Sequence, residues 1–292
     1  MSAAWLDGNF VDRAALTIDP ADFGFARGVA LFELARIYGG IPLHLDDHLQ
    51  RLAHGAGLLN IAMPRSLPAL ADAARAVIAR NRFAHSALKF YLTAGQCGHE
   101  QHTLASCKDF TPHLMILETE MQPQHPDAPS GLDYYRRGQR LKTVPFMREL
   151  PMVKSINYMA GFYATREVAG AEWDDILFTH HEGHVTEATR SNLFCVIDGV
   201  LCTPGRGMLL GVTRKIVRQL AAQCGIPVQE RDLRPADFAR ASEAFTTGSI
   251  AELMPAQRID DHVFAQTMDA PVFQKLRRAF TAYIQAQCRQ AA

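Results

Sequence analysis

Hydrophobic and polar positions alternate along this chain in short runs. Ala4-Trp5-Leu6 and Phe10-Val11 flank Asp7-Gly8, which predicts an opening hairpin, with Leu16-Thr17-Ile18 following it. An apolar stretch from Gly28 to Tyr38 ends at Gly39-Gly40, a turn before Ile41-Pro42-Leu43-His44-Leu45. Asp46 and Asp47 are suitable N-caps for a helix running to Leu59, and Ser66 for a second helix, Leu67 to Asn81. Ala87 to Thr93 and His113 to Leu117 read as strands, separated by a polar loop rich in His, Gly and Gln.

The second half repeats the mixture. Strands are expected at Leu141 to Pro145, Ile176 to Thr179 and Leu193 to Ile197, the last turning at Asp198-Gly199 into Val200-Leu201-Cys202. Helices are expected from Tyr158 to Ala169, from Thr213 to Cys224, and over 271–288. Pro123, Pro126, Pro129 and Gly131 mark a linker at 122–131, between domains 1–121 and 132–292. Helices and strands mix in both halves, so the fold class is α/β (α+β).

Composition narrows the function. The chain has 292 residues, 48% of them hydrophobic, enough for a large core. Thirty basic residues balance thirty acidic ones, with no long like-charge run to suit nucleic acid or a membrane surface. The N-terminus lacks a basic signal-peptide start, and the six cysteines form no CxxC pair. The expectation is a cytoplasmic protein with reduced thiols. His99-Glu100-Gln101-His102 has two histidines three apart but no third ligand at a recognisable spacing, so it reads as a loop and no metal is expected.

The chemistry gathers around Lys154, framed by Pro151-Met152-Val153 and Ile156-Asn157-Tyr158. Arg51 lies upstream. Glu187, Ser191-Asn192, Gly211-Val212-Thr213 and Thr246-Thr247-Gly248-Ser249 lie downstream. An amine, a carboxylate, an arginine and hydroxyl-bearing turns are what pyridoxal 5′-phosphate requires. It needs an amine to bond its aldehyde, an acid at its ring nitrogen, and a guanidinium with helix-start N–H groups for its phosphate. Each residue alone has a plainer reading. Lys154 could be a surface charge, Arg51 a helix-surface arginine paired with Asp47, Glu187 an exposed strand-end carboxylate, Thr213 a helix cap and Ser249 a loop hydroxyl.

Taken in order, Gly28-Val29-Ala30-Leu31-Phe32-Glu33, His48-x-x-Arg51-Leu52, Lys154 with Asn157-Tyr158, Thr186-Glu187 with Ser191-Asn192-Leu193-Phe194, Leu210-Gly211-Val212-Thr213-Arg214 and Phe245-Thr246-Thr247-Gly248-Ser249 resemble the class IV aminotransferase family, of pyridoxal-phosphate fold-type IV. The resemblance runs from about Leu16 to about Pro255. It implies a two-domain architecture with the cofactor at the domain interface, and a homodimer with shared active sites. It implies Lys154 as the lysine that bonds the cofactor and shuttles the proton, and Glu187 at the pyridine nitrogen. Arg51, Val212, Thr213 and Ser249 would hold the phosphate, and Tyr158 the ring hydroxyl.

Substrate choice falls to Arg27, Phe32, Lys89 and Arg36. Arg27 stands five positions before Phe32, where a branched-chain enzyme usually carries an aromatic residue, and in the family this loop reaches the neighbouring subunit's site. Lys89 occupies a position where related enzymes place a second basic residue. Arg36 shares the strand period of Phe32 and Leu34. The Arg-x-His loop of the best-known D-amino acid transaminases is missing; the corresponding loop reads Gly95-Gln96-Cys97-Gly98-His99-Glu100-Gln101-His102. Arg27 with Lys89 resembles a divergent group of D-amino acid transaminases, acting on an amino acid such as D-alanine or D-glutamate and a 2-oxo acid. Plainer readings stay open: Arg27 paired with Asp22, Lys89 facing solvent, Arg36 in a structural ion pair. A branched-chain L-amino acid aminotransferase and then an aminodeoxychorismate lyase are the alternative activities.

Overall fold

The computed structural model describes residues 2–97, 109–121, 133–168 and 172–290. The chain forms two compact units, one of residues 1–122 with 153–158, the other of 123–152 with 159–292. The expected linker at 122–131, the loop carrying His99 and His102, and the expected helix end at Ala169 lie outside the described residues.

In the first unit, β1 (Ala3–Leu6), β2 (Asn9–Asp12), β3 (Ala30–Tyr38), β4 (Ile41–Pro42), β5 (His85–Cys97) and β6 (Phe110–Glu120) make an antiparallel sheet ordered β2-β1-β6-β5-β3-β4. The helices are α1 (Phe23–Arg27), α2 (Leu45–Leu58) and α3 (Leu67–Asn81). Alternation along β3 is strict: Leu31, Glu33, Ala35 and Ile37 are buried, whereas Phe32, Leu34, Arg36 and Tyr38 are half-buried. The buried face joins Leu49 and Leu52 of α2, Leu70 and Val77 of α3, and Leu88, Phe90 and Leu92 of β5 in one core. Val153 belongs to that core too, so the segment carrying Lys154 groups with this unit rather than with the 132–292 stretch where sequence order had put it.

The second unit contains α4 (Asp133–Arg137), β7 (Gln139–Pro145), α5 (Met159–Val168), β8 (Asp175–Thr179), β9 (Val185–Ala188), β10 (Asn192–Ile197), β11 (Val200–Pro204), α6 (Val212–Gln223), β12 (Val228–Arg231), β13 (Ala241–Gly248), β14 (Glu252–Ile259), β15 (His262–Val263) and α7 (Pro271–Gln290). Its strands run β12-β11-β10-β13-β14-β7-β8-β9, and β9 pairs back to β10 through Glu187 and Asn192. Six strands therefore close into a ring whose interior is filled by Leu193, Cys195, Leu177, Leu141 and Ala256. On the other face of β10, Phe194 stacks on Phe245, which packs on Phe273 of α7. Both faces of β10 are covered, which is why it reads as an unbroken apolar run.

Three local expectations change. Leu16 to Ile18 form no strand, because the Asp12 carboxylate accepts the Ala14 N–H and caps a single 3-10 turn over Arg13–Ala15. Asp46 and Asp47 lie inside the first turn of α2, where acidic groups favour the helix dipole, and His44 in the left-handed region is the cap. Helix α6 starts one residue early, at Val212.

Gly95 sits where the β5–β6 register shifts, at φ +75°. A Cβ there would fall 1.6 Å from the Thr111 carbonyl oxygen. Gly95→Ala should therefore cost at least ~2–3 kcal/mol, because left-handed strain adds to a backbone clash that no rotamer relieves. Urea unfolding measures this, and a variant within about 1 kcal/mol of the parent would contradict the strain argument.

Candidate active site

Lys154 is fixed through its backbone. The Phe32 N–H donates to the Lys154 carbonyl at 2.9 Å and the Ile156 N–H donates to the Ala30 carbonyl at 3.1 Å, so Ser155 bridges to Leu31 as a one-residue extension of the sheet. Buried Val153 anchors the preceding position beside Gly55 of α2. The Lys154 Nζ then lies 4.3 Å from the centroid of the Phe32 ring. That ring neighbours Tyr158 at 5.9 Å and Tyr91 at 6.3 Å. Lys154, Tyr158 and Phe32, expected at one site, meet within the first unit.

Behind Phe32, on the opposite face of β3, Glu33 is fully buried. Its Oε1 accepts from Arg51 Nε at 2.7 Å and its Oε2 from Arg51 Nη2 at 2.8 Å, a bidentate pair. His48 Nδ1 lies 2.8 Å from the same Oε2 and donates to it, since an ionised carboxylate only accepts. Burial pushes the Glu33 carboxyl up, but the Arg51 charge and hydrogen bonds, joined by His48, outweigh it and hold the group at about 2. Burial likewise pushes the His48 imidazole below its ordinary value, against the pull of Glu33. Arg51 is thus paired with Glu33, and Asp47, the partner considered from helical spacing, lies 2.7 Å from His44 Nδ1.

Phe32, Leu34 and Arg36 share one face of β3, and register pairs Phe32 with Tyr91 and Leu34 with Lys89 on that same face. Arg36 also lies over the Tyr38 ring at 4.9 Å. Arg27, at the end of α1, is exposed and donates to the Ala26 carbonyl at 2.8 Å. Asp22 does not hold it; that carboxylate accepts from Gly24 N at 2.6 Å and Thr93 Oγ1 at 2.7 Å.

In the second unit the expected residues converge on the start of β10. Glu187, Asn192 and Thr247 stand side by side on β9, β10 and β13, and all three are buried. Glu187 Oε1 accepts from Arg148 Nη1 at 2.7 Å and from the Leu209 N–H at 3.1 Å, and its Oε2 accepts from Asn192 Nδ2 at 3.3 Å. Asn192 also donates to the Leu209 carbonyl at 2.8 Å, which fixes the approach to α6. A Cβ on Gly211 would come 2.1 Å from Asn192 Oδ1, so only glycine lets the helix begin here. Val212 and Thr213 form its first turn, whose backbone N–H groups point outward without intrahelical partners. Ser249 opens the turn between β13 and β14, following Gly248, which lies beside Arg190 and Ser191.

This arrangement suits an anion. Helix α6 begins with free N–H donors and a positive dipole, with a buried threonine at its second position. The Thr247 Oγ1, two residues before Ser249, is buried with no hydrogen-bond partner, a donor that a phosphate oxygen would satisfy. Glu33 and Arg148 were not assigned a role from sequence, and of the Thr246-Thr247-Gly248-Ser249 turn only Ser249 was. Glu33 had a signal, being a charge at an apolar phase of β3. Arg148 had none, because it meets Glu187 only through the fold.

Because the Glu33 carboxyl falls from 4.5 to about 2 on folding, the folded state binds fewer protons between those values. Its contribution is then present in full above about pH 4.5 and lost as pH drops toward 2; at about 1.36 kcal/mol per pH unit it amounts to ~3 kcal/mol. Glu33→Gln should lower stability near neutral pH by a similar amount and flatten this part of the stability–pH curve. Urea midpoints from pH 2 to 7 test both, and an unchanged acid limb in the variant would remove Glu33 from the account.

The Amino-transferase class IV family model matches residues 30–259. The chain is 30% identical to a putative branched-chain-amino-acid aminotransferase of Methanocaldococcus jannaschii, with 94% of each chain covered. It is 26% identical to a D-alanine aminotransferase of Listeria monocytogenes, covering 97% of this chain and 96% of that one. Among solved structures, a branched-chain aminotransferase of the thermophilic archaeon Thermoproteus uzoniensis with norvaline superposes with a TM-score of 0.82 at 26% identity, over 96% of this chain and 93% of that one. With residues that can take up an anion, a buried paired carboxylate and a poised lysine already in place, the match over most of its length makes this chain a member of the class IV aminotransferase family, the transferases that work with pyridoxal 5′-phosphate.

Proposed function

We propose that this aminotransferase moves the amino group of a D-amino acid, such as D-alanine or D-glutamate, to a 2-oxo acid. When bound, pyridoxal phosphate supplies the aldehyde that takes up the amino group and the ring that stores electrons as the Cα proton leaves. Lys154 is the residue that would hold the cofactor through its aldehyde and, with its amine free, would serve as the base and acid that moves the substrate's Cα proton. Glu187, its own charge balanced by Arg148 and its position set by Leu209 and Asn192, would accept a hydrogen bond from the protonated ring nitrogen. Arg51, the first turn of α6 at Val212 and Thr213, and Ser249 would hold the phosphate. Tyr158 would donate to the ring hydroxyl.

The observation that carries the substrate reading is the cationic character of one face of β3 and β5. Lys89 and Arg36 share the face of Phe32, the ring against which Lys154 lies. A substrate carboxylate, and a second one in D-glutamate, suits that face, and Arg27 adds a guanidinium that can grip a carboxylate through two bonds. Arg27 serves the neighbouring subunit in a homodimer that shares its active sites. Exposed Phe25 beside it, and exposed Met159, Phe162 and Tyr163 on α5, support burial of these surfaces by a second copy.

The same face also bears Leu34 and Tyr91, which favours a second reading, a branched-chain L-amino acid aminotransferase. A stopped half-reaction separates them. Single D- and L-amino acids are mixed with the cofactor-loaded enzyme, and loss of the visible absorbance of the lysine-bound cofactor is followed. D-alanine and D-glutamate should react and L-leucine should not; reaction with L-leucine alone would establish the second reading. Multiple-turnover release of pyruvate from aminodeoxychorismate with no amino acceptor present would instead indicate a lyase, because the half-reaction with D-alanine yields at most one pyruvate per active site. Lys154→Ala should lose both turnover and that absorbance, and retained turnover would overturn its role. Arg27→Ala and Lys89→Ala should raise KM about tenfold or more, the loss of one charge-assisted contact each.

A further inference from the structure

The turn joining β8 to β9 reads His180-His181-Glu182-Gly183-His184, and neither the aminotransfer chemistry nor the packing of the core uses it. It is a stiff frame. The His180 N–H donates to the His184 carbonyl and the Gly183 N–H to the His180 carbonyl, each at 2.8 Å, with Gly183 at φ +83°. Nitrogen or oxygen donor atoms of His180, His181 and Glu182 all lie within 4.8 Å of one another. The His180 and His181 ring centroids are 3.9 Å apart. His184, buried beneath, stacks on His180 at 4.4 Å and 22°, which limits the His180 ring to a narrow set of orientations.

We propose that this turn is a binding site for a divalent first-row transition ion such as Zn²⁺, held by His180, His181 and the Glu182 carboxylate. Two imidazoles and one carboxylate suit zinc, cobalt, nickel or copper, whereas calcium and magnesium seek mostly oxygen. Three protein ligands leave a fourth position to water. Bonds of about 2.1 Å to a tetrahedral ion put ligand atoms about 3.4 Å apart, so donors that now lie within 4.8 Å of one another close in by up to about 1.4 Å through side-chain rotation on the turn. The opposing charge is Arg206, whose Nη2 lies 2.7 Å from Glu182 Oε2. Arg206 also holds Asp232 through Nε at 3.1 Å and Nη2 at 2.7 Å, so releasing Glu182 leaves it paired. Arg234 Nη1 donates to the Glu182 backbone carbonyl at 3.2 Å. Glu187 lies five residues past Glu182, at the far end of the hairpin, so an ion here braces the strand that carries that carboxylate.

Calorimetric titration of tag-free, cofactor-loaded protein with ZnCl₂ tests the site, alongside the visible spectrum with Co²⁺ as a coordination reporter. The expected result is one Zn²⁺ per chain, a Co²⁺ band of tetrahedral intensity, and no comparable heat from Mg²⁺ or Ca²⁺. His181→Ala and Glu182→Gln, both at exposed positions, should each weaken Zn²⁺ binding about tenfold or more while leaving the melting temperature and the amino-acid half-reaction unchanged. Absence of saturable Zn²⁺ binding, or binding that neither variant alters, overturns the proposal. Because the readout is metal affinity, its outcome is independent of which amino acid the enzyme uses.

Discussion

A carboxylate buried under a β-strand is the interaction on which the first unit depends. Glu33 gives up its water to sit between β3 and α2, and an unpaired charge in that position would cost several kcal/mol. Two residues one helical turn apart on α2 meet that cost: Arg51 with two parallel bonds and His48 with a third. The outcome is legible in the direction of the Glu33 titration, where pairing wins over burial. Arg51 emerges with its guanidinium plane fixed and part of its donor set committed to Glu33. A preset guanidinium loses less rotamer freedom when it meets an anion than a mobile one does.

Strand β3 ties this pair to the lysine. Its odd-numbered positions face α2 and the core, and its even-numbered positions carry Phe32, Leu34 and Arg36. The backbone of Phe32 and Ala30 clasps Lys154 and Ile156, so one strand sets both the amine and the ring beneath it. In the second unit, Asn192 has the comparable place. Its amide links Glu187 to the loop entering α6, and its oxygen occupies the volume that a side chain at Gly211 would need. One residue type at each of these two positions, 192 and 211, brings a carboxylate and a helix start together.

Much of this was legible from residue order. The strands from Ala87, Leu141, Ile176 and Leu193, and helix α3 with its Ser66 cap, follow from alternation, helical period and turn residues, all of them local. Lys154, Glu187, Arg51 and Thr213 stood out because their chemical types match one cofactor. The expectations that changed were also local in origin. Arg51 has a partner in Glu33 that helical spacing could not show, because spacing along one helix says nothing of the strand beneath it. Leu16 to Ile18 lost its strand to an Asp12 cap, a bond with no apolar signature.

By itself, the sequence determined the elements and the types of group available, since periodicity and side-chain chemistry are carried by neighbours in the chain. Tertiary structure alone decided which charges balance which. Arg148 reaches Glu187 across 39 positions and Glu33 reaches Arg51 across 18. Such pairs form because a buried charge must find a partner wherever the fold presents one, and the fold rather than the local sequence sets where that is.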